Sequence, residues 1–219
     1  IGGASSFSTG TTGQSITLDN TSNSFTGAVS LNTSGSGNAT LSSASAVTLS
    51  SSSIGGDLNV TVGGDNSLNV TGAATAGGSI SLLADDDIIF TASGDLTTTT
   101  GNITITADND ADNNGAGGAL TMVDGTVFDA GSGTLALSAD EDITLGFLQT
   151  TSSSDTAVTL TSTSGGVFAG DTETALNDKS ITKLGELDSF LDIDAENGRL
   201  VVDTVTGFGT EENAIETKV

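Results

Sequence analysis

The sequence predicts an all-β chain wound as a parallel β-helix (β-solenoid). Three observations carry that reading: apolar residues alternate in short runs, the runs recur at a fixed spacing, and turn-forming residues separate them. The runs are Ile16/Leu18, Val29/Leu31, Val47/Leu49, Leu58/Val60/Val62, Leu68/Val70, Ile80/Leu82, Ile88/Phe90, Ile103/Ile105, Leu120/Met122, Leu135/Leu137, Ile143/Leu145, Val158/Leu160, Leu191/Ile193 and Leu200/Val202. A period of two places each run on one face of a strand. Thr fills many alternate positions, as in Ile103-Thr104-Ile105-Thr106, where a β-branched polar side chain suits an outward strand face. One segment, Asp178 to Asp188, carries a short helical signal with Lys179 and Lys183, and reads equally as a strand with loops.

The runs are also self-similar. Ser79-Ile80-Ser81-Leu82-Leu83-Ala84-Asp85-Asp86-Asp87-Ile88-Ile89-Phe90 aligns with Thr134-Leu135-Ala136-Leu137-Ser138-Ala139-Asp140-Glu141-Asp142-Ile143-Thr144-Leu145, an offset of 55 from Ile80 to Leu135. The same offset carries Ile103/Ile105 onto Val158/Leu160, and a looser third copy runs from Leu191 to Val202. Inside the first two copies, Ile80 to Ile103 and Leu135 to Val158 are both 23 residues apart, which sets the expected coil, lengthened in places by loops. A single coil cannot stand alone. Six inward side chains at about 1.5 to 3 kcal/mol each do not clearly exceed the roughly 1 to 2 kcal/mol per residue lost on ordering such a coil. Stacked neighbours supply the rest.

The 30 glycines, with abundant Ser, Ala and Asn, suit tight corners. The competing architecture is a tandem of antiparallel β-sandwiches, whose hairpins favour two-residue Asn-Gly or Asp-Gly turns; Asn197-Gly198 and Asp124-Gly125 keep it open. Residues 1–78 read as Ser/Gly/Thr-rich coils. Residues 79–219 read as acidic coils with an internal repeat (79–133, 134–189 and a partial 190–219). Only Asp19, Asp57 and Asp65 are acidic before residue 80.

Composition narrows function. There are 28 acidic residues against 4 Lys plus Arg, a formal charge of −24, and no His, Cys, Pro, Trp or Tyr. Without His or Cys, nucleophile-plus-imidazole chemistry and disulfides are excluded. Such acidity repels nucleic acid and the anionic face of a membrane, and leaves cationic partners, neutral polymers and metal ions open. High acidity with few aromatics is also a signature of disorder, but 35% of residues are hydrophobic and fall in regular runs. No apolar run approaches a membrane span, and no signal peptide is visible. The chain is therefore read as an excerpt of a longer protein whose export signal lies outside these residues.

The acidic triplets Asp85-Asp86-Asp87 and Asp140-Glu141-Asp142 are expected at one corner, as a solvated turn or, through mutual repulsion, as a cation site. The calcium candidate is Asp110, Asp112 and Asn114 with Gly115, the opening of a D-x-D-x-N-G calcium loop. Thr121 stands where the closing Glu belongs, so a plain polar loop is the alternative. The calcium β-roll motif G-G-x-G-x-D is absent; Gly55-Gly56-Asp57 and Gly63-Gly64-Asp65 are fragments of it that fit turns. No catalytic residue is assigned. Carboxylates abound, but sugar-gripping aromatics and basic residues do not, which argues against a tailspike-like glycan-cleaving enzyme. The Thr97–Thr100 row raises ice binding, yet it is not repeated at fixed spacing elsewhere, and exposed Thr on a strand explains it.

Gly-Asn-Ile-Thr-Ile-Thr-Ala (101–107), Gly-Thr-Leu-Ala-Leu-Ser-Ala-Asp-Glu-Asp-Ile-Thr-Leu (133–145) and Val205-Thr206-Gly207-Phe208-Gly209-Thr210 resemble repeats of very large bacterial surface proteins of the filamentous-haemagglutinin and β-strand-repeat adhesin type. The resemblance covers residues 79–219 best and the first part by composition. It implies a right-handed parallel β-helix, secretion to the cell surface, and roles in attachment, aggregation or biofilm. The expected role is the stalk of a giant adhesin, without enzymatic activity. Its partners would be neighbouring copies or repeats and a host or matrix surface, with no nucleic acid and no membrane insertion. The rival is a self-assembling subunit of an extracellular filament or sheath, because open solenoid ends stack.

Overall fold

A computed structural model of the chain describes residues 1–110, 117–170, 191–210 and 213–219. Strands come in chain order as successive windings. The chain opens with β1 (Ser5–Ser8), followed by β2 (Ile16–Leu18) and β3 (Val29–Asn32). Three strands per winding follow: β4 (Ala39–Ser43), β5 (Val47–Leu49) and β6 (Ser52–Ile54); then β7 (Leu58–Val62), β8 (Leu68–Val70) and β9 (Ala74–Ala76). Next come β10 (Ile80–Ala84), β11 (Ile88–Phe90) and β12 (Leu96–Thr98), and β13 (Ile103–Ala107), β14 (Leu120–Met122) and β15 (Val127–Asp129). The last windings hold β16 (Leu135–Ala139), β17 (Ile143–Leu145), β18 (Phe147–Gln149), β19 (Val158–Ser162), β20 (Val167–Ala169), β21 (Ile193–Asp194), β22 (Leu200–Asp203) and β23 (Thr217–Lys218).

Each strand pairs with the equivalent strand one winding away, in parallel. The result is a β-solenoid of about 8 turns with three faces. Face 1 is the 8-stranded sheet β2-β4-β7-β10-β13-β16-β19-β22. Faces 2 and 3 are the rows β5-β8-β11-β14-β17-β20 and β6-β9-β12-β15-β18-β21-β23, which merge at β3: its Val29 pairs with Leu49 on face 2 and its Asn32 with Ser53 on face 3. All-parallel pairing rules out the tandem antiparallel sandwiches, which need hairpins. No helix occurs among the described residues; the helical candidate Asp178 to Asp188 lies outside them.

The register explains the repeat. Ile80 pairs with Ile103, Ile103 with Leu135 and Leu135 with Val158, so the offset of 55 is two windings. One winding is lengthened between Ala107 and Leu120. The looser copy starting at Leu191 is out of phase: Ile193 pairs with Leu148 on face 3, and it is Leu200 that takes the face 1 position against Val158. Two alternating apolar segments joined by a short turn look alike whichever face they occupy. Pairing also crosses residue 79 without a break, since Leu58 faces Ile80.

Inward side chains form one hydrophobic core from Ile16 to Ala195. On face 1 it stacks Ala39, Leu58, Ile80, Ile103, Leu135 and Val158 in one column, and Leu41, Val60, Leu82, Ile105, Leu137 and Leu160 in the next. All are buried. Between faces 2 and 3, Phe90 meets Phe128 edge to face, with ring centroids 4.7 Å apart. Windings this close leave no room for Cβ atoms aimed along the stack. At the corner between faces 3 and 1, a Cβ on Gly101 would drive into the carbonyl of Gly78, and one on Gly133 into that of Gly101. Glycine stands there for close approach rather than for a special φ.

Face 3 is built differently. Its inward residues include Ser52, Ala74, Ala76, Thr98 and Thr150, all buried, beside Leu96, Phe128 and Leu148. The hydroxyls are paired: Thr98 Oγ1 donates to the carbonyl of Gly101 at 2.6 Å, and Thr150 Oγ1 contacts the carbonyls of Gly131 and Gly133. Ser52 Oγ donates to the carbonyl of Ser50 at 2.9 Å and accepts the Leu31 N–H at 3.0 Å. Buried polar groups with partners carry little penalty.

Candidate functional site

The acidic triplets do share one corner, between faces 1 and 2. They are not in adjacent windings: the winding of β13 and β14 lies between them. Its Asp108 takes a left-handed backbone (φ 57°). Gly118 returns the chain between the two sides, its carbonyl accepting the N–H groups of Asp140 at 3.1 Å and Glu141 at 3.2 Å. A Cβ on Gly118 would crowd Asp108 and Asp140.

The triplet carboxylates accept hydrogen bonds across windings. Asp85 takes the Gly64 N–H at 2.8 Å, Asp86 the Ser67 hydroxyl at 2.6 Å, and Asp87 the Ala119 N–H at 3.0 Å. In the later triplet, Asp142 takes the Gly166 N–H at 2.9 Å and Asp140 the hydroxyls of Thr163 and Ser164. Charge-assisted bonds of this kind satisfy backbone donors that a turning chain cannot pair with carbonyls.

The last acid of each triplet belongs to a wider pattern that the sequence reading did not single out. The residue just before a strand accepts the backbone N–H of its equivalent one winding later. Before face 1, the N–H of Asn38 donates to Ser15 Oγ (3.0 Å), Asp57 to Asn38 Oδ1 (2.9 Å), Ser79 to Asp57 Oδ1 (2.8 Å), Asn102 to Ser79 Oγ (3.1 Å) and Thr134 to Asn102 Oδ1 (2.9 Å). Before face 3, Val127 N–H donates to Asp95 Oδ1 at 2.9 Å. A short polar side chain immediately ahead of each apolar run is the signal that would have found it. These side chains continue the ladder through the corners, which makes them structural.

Of the calcium candidates, Asp110 is exposed, while Asp112 and Asn114 lie outside the described residues. Thr121 is held within β14, between Ile89 and Thr144. No group of three or more metal-ligating acids is assembled among the described residues. A cleft of about 260 Å³ sits beside this corner, lined by Thr106, Asp108, Asn109, Ser138, Asp140 and Thr163 among others.

Outside the corners, face 1 is the distinctive surface. Over β4, β7, β10, β13, β16 and β19 its outward pairs are Thr40/Ser42, Asn59/Thr61, Ser81/Leu83, Thr104/Thr106, Ala136/Ser138 and Thr159/Thr161, stacked in register. None is charged. Of the Thr97–Thr100 run, Thr97 faces outward on face 3, in the column Ser53, Thr75, Thr97, Asp129, Gln149, while Thr98 is buried rather than exposed, because it points inward on β12. No helix among the described residues is long and apolar enough to cross a membrane. Comparison with known proteins finds no match to this chain among family profiles, curated proteins or solved structures.

Proposed function

We propose that the chain is a structural and adhesive repeat segment of an extracellular bacterial surface protein, the stalk of a large adhesin serving attachment or biofilm. The observation that supports this is the continuous core: one apolar column runs through about 8 turns with every winding in register. Such a stack is a rod. At about 4.8 Å per winding, the eight strands of face 1 span roughly 34 Å, and each added repeat lengthens it without a new core. Its acidity keeps a long polymer soluble and self-repelling. Imaging the parent protein tests the reading: a rod of constant width is expected, and a compact globule would overturn it.

A filament subunit is the second reading. Among the described residues, the end strands of face 1, Ile16–Leu18 and Leu200–Asp203, each pair on one side only, and such edges template stacking. Electron microscopy of the isolated chain separates the two, since a subunit forms fibres at modest concentration and a stalk segment stays monomeric.

A further inference from the structure

We propose that Asp124 is a site of spontaneous isoaspartate formation in the folded chain, a reading independent of the stalk role. The sequence holds three pairs in which Asp or Asn precedes Gly: Asn114-Gly115, outside the described residues, Asp124-Gly125 and Asn197-Gly198. Such pairs are prone to cyclise, because glycine has no side chain to shield its backbone nitrogen or restrict its rotation. The fold treats the two described pairs in opposite ways.

Val123 to Thr126 form a β-turn at the corner between faces 2 and 3, closed by the Thr126 N–H donating to the Val123 carbonyl at 2.9 Å. Gly125 stands third in that turn, with φ 89°. Its N–H has no partner among the described residues, and neither has the Asp124 carboxylate. Val123, Asp124 and Gly125 are all exposed. Beyond the chain neighbours, a Cβ on Gly125 would meet only Ala92 Cβ, at 3.6 Å. Because glycine accepts φ of either sign, the Asp124–Gly125 peptide plane has room to rotate until its nitrogen faces the Asp124 carboxyl carbon. The turn from Ala195 to Gly198 is closed by the Gly198 N–H itself, which donates to the Ala195 carbonyl at 2.9 Å. A Cβ on Gly198 would collide with Ala157 and the Ser152 carbonyl, and the next N–H, that of Arg199, is held by the Ser154 carbonyl at 3.1 Å. Third against fourth place in the turn thus decides which glycine nitrogen is free to react.

The chemistry needs only water. The Gly125 nitrogen bonds to Asp124 Cγ, the hydroxyl of the carboxylic acid leaves with the amide proton as water, and a five-membered cyclic imide results. Water then adds to one of the two imide carbonyls. Opening at the main-chain carbonyl leaves the backbone running through Cγ, so one water is lost, one is regained, and the chain is longer by one methylene. That extra length falls within the exposed turn. On one side the Val123 N–H is bound to the Phe90 carbonyl at 3.1 Å, and on the other Thr126 is fully buried, so the windings stay paired.

The test is prolonged incubation of the purified 219-residue chain near neutral pH, folded and, in parallel, unfolded in urea, with isoaspartate and deamidation located residue by residue by mass-spectrometric fragmentation. In the unfolded chain both pairs should convert, Asn197 faster, because an amide loses ammonia more readily than a carboxyl group loses water. Folding should reverse that order: isoaspartate accumulates at position 124 while Asn197 stays intact. Asp124→Glu, whose imide needs a six-membered ring, should lose the signal at that position, with far-UV circular dichroism confirming that the variant is folded. Absence of isoaspartate at position 124 in the folded chain would overturn the proposal. Deamidation of Asn197 as fast in the folded chain as in the unfolded one would also overturn it, since the fold would then not discriminate between the two turns.

Discussion

Faces 1 and 3 wind around the same core, share the same parallel ladder and are equally buried, but they are built from different residues. Face 1 stacks large aliphatic side chains in two columns and closes with a column of small ones, Ala84, Ala107 and Ala139, toward the corner. Face 3 stacks Ser, Ala and Thr among a few large residues, and pairs its hydroxyls with corner carbonyls. A three-sided coil needs volume on its long face and close approach on its short one. Face 1 should therefore be vulnerable to lost volume and face 3 to added volume.

The largest effect is expected from Leu82→Ala, which empties a fully buried position on face 1; about 2 to 5 kcal/mol of stability should be lost in urea unfolding. A loss under about 1 kcal/mol would mean that the windings collapse onto the gap. On face 3, Ala74→Leu should cost about 1 to 3 kcal/mol by overpacking against its stacked neighbours Ser52 and Leu96. If it stabilised the chain instead, the short face would have spare volume and the contrast would fail. Thr98→Val keeps shape and removes one buried donor; about 1 kcal/mol is the expected loss, read as a small shift in midpoint with unchanged slope.

The smallest effect belongs to the ion pair Lys218–Glu196, 2.6 Å long with both side chains about half exposed (54% and 52%). The hydrogen bond to Glu196, followed by the charge of Asp194, holds the Lys218 ammonium above the ordinary lysine value, against an opposing desolvation. A raised lysine pKa contributes stability that is complete below the ordinary value and is lost as pH rises through the raised one. Because the pair is exposed, Lys218→Met should leave the melting temperature at neutral pH unchanged. Titration of the side-chain amine by NMR should still place it above the free-lysine value.

Much of the fold could be read in advance, unevenly by face. Every strand of face 1 except β4 was anticipated, because Leu58/Val60/Val62 or Ile103/Ile105 alternates strongly enough to stand out. On face 2 only β20 escaped. Face 3 was nearly invisible: Ser52–Ile54, Ala74–Ala76 and Leu96–Thr98 offer two inward side chains each, often small or polar, and resemble the turns around them. The acidic triplets were expected at a corner, and they share the one between faces 1 and 2, but their bonding to backbone donors was not foreseen, since it depends on which N–H arrives one winding later.

Alternation and spacing in the chain alone pointed to stacked coils with a period near 23, because a strand of period two must bury one side and a lone coil cannot; the parallel pairing that excludes tandem sandwiches came from the tertiary structure. Register alone decided which hydroxyls are spent inside and which stand free outside. Thr98 and Thr106 are the same residue type eight positions apart, yet one faces a carbonyl in the core and the other faces solvent. That division follows from the neighbours each winding meets above and below, which lie some 20 to 30 residues away in sequence and become partners only once the coils are stacked.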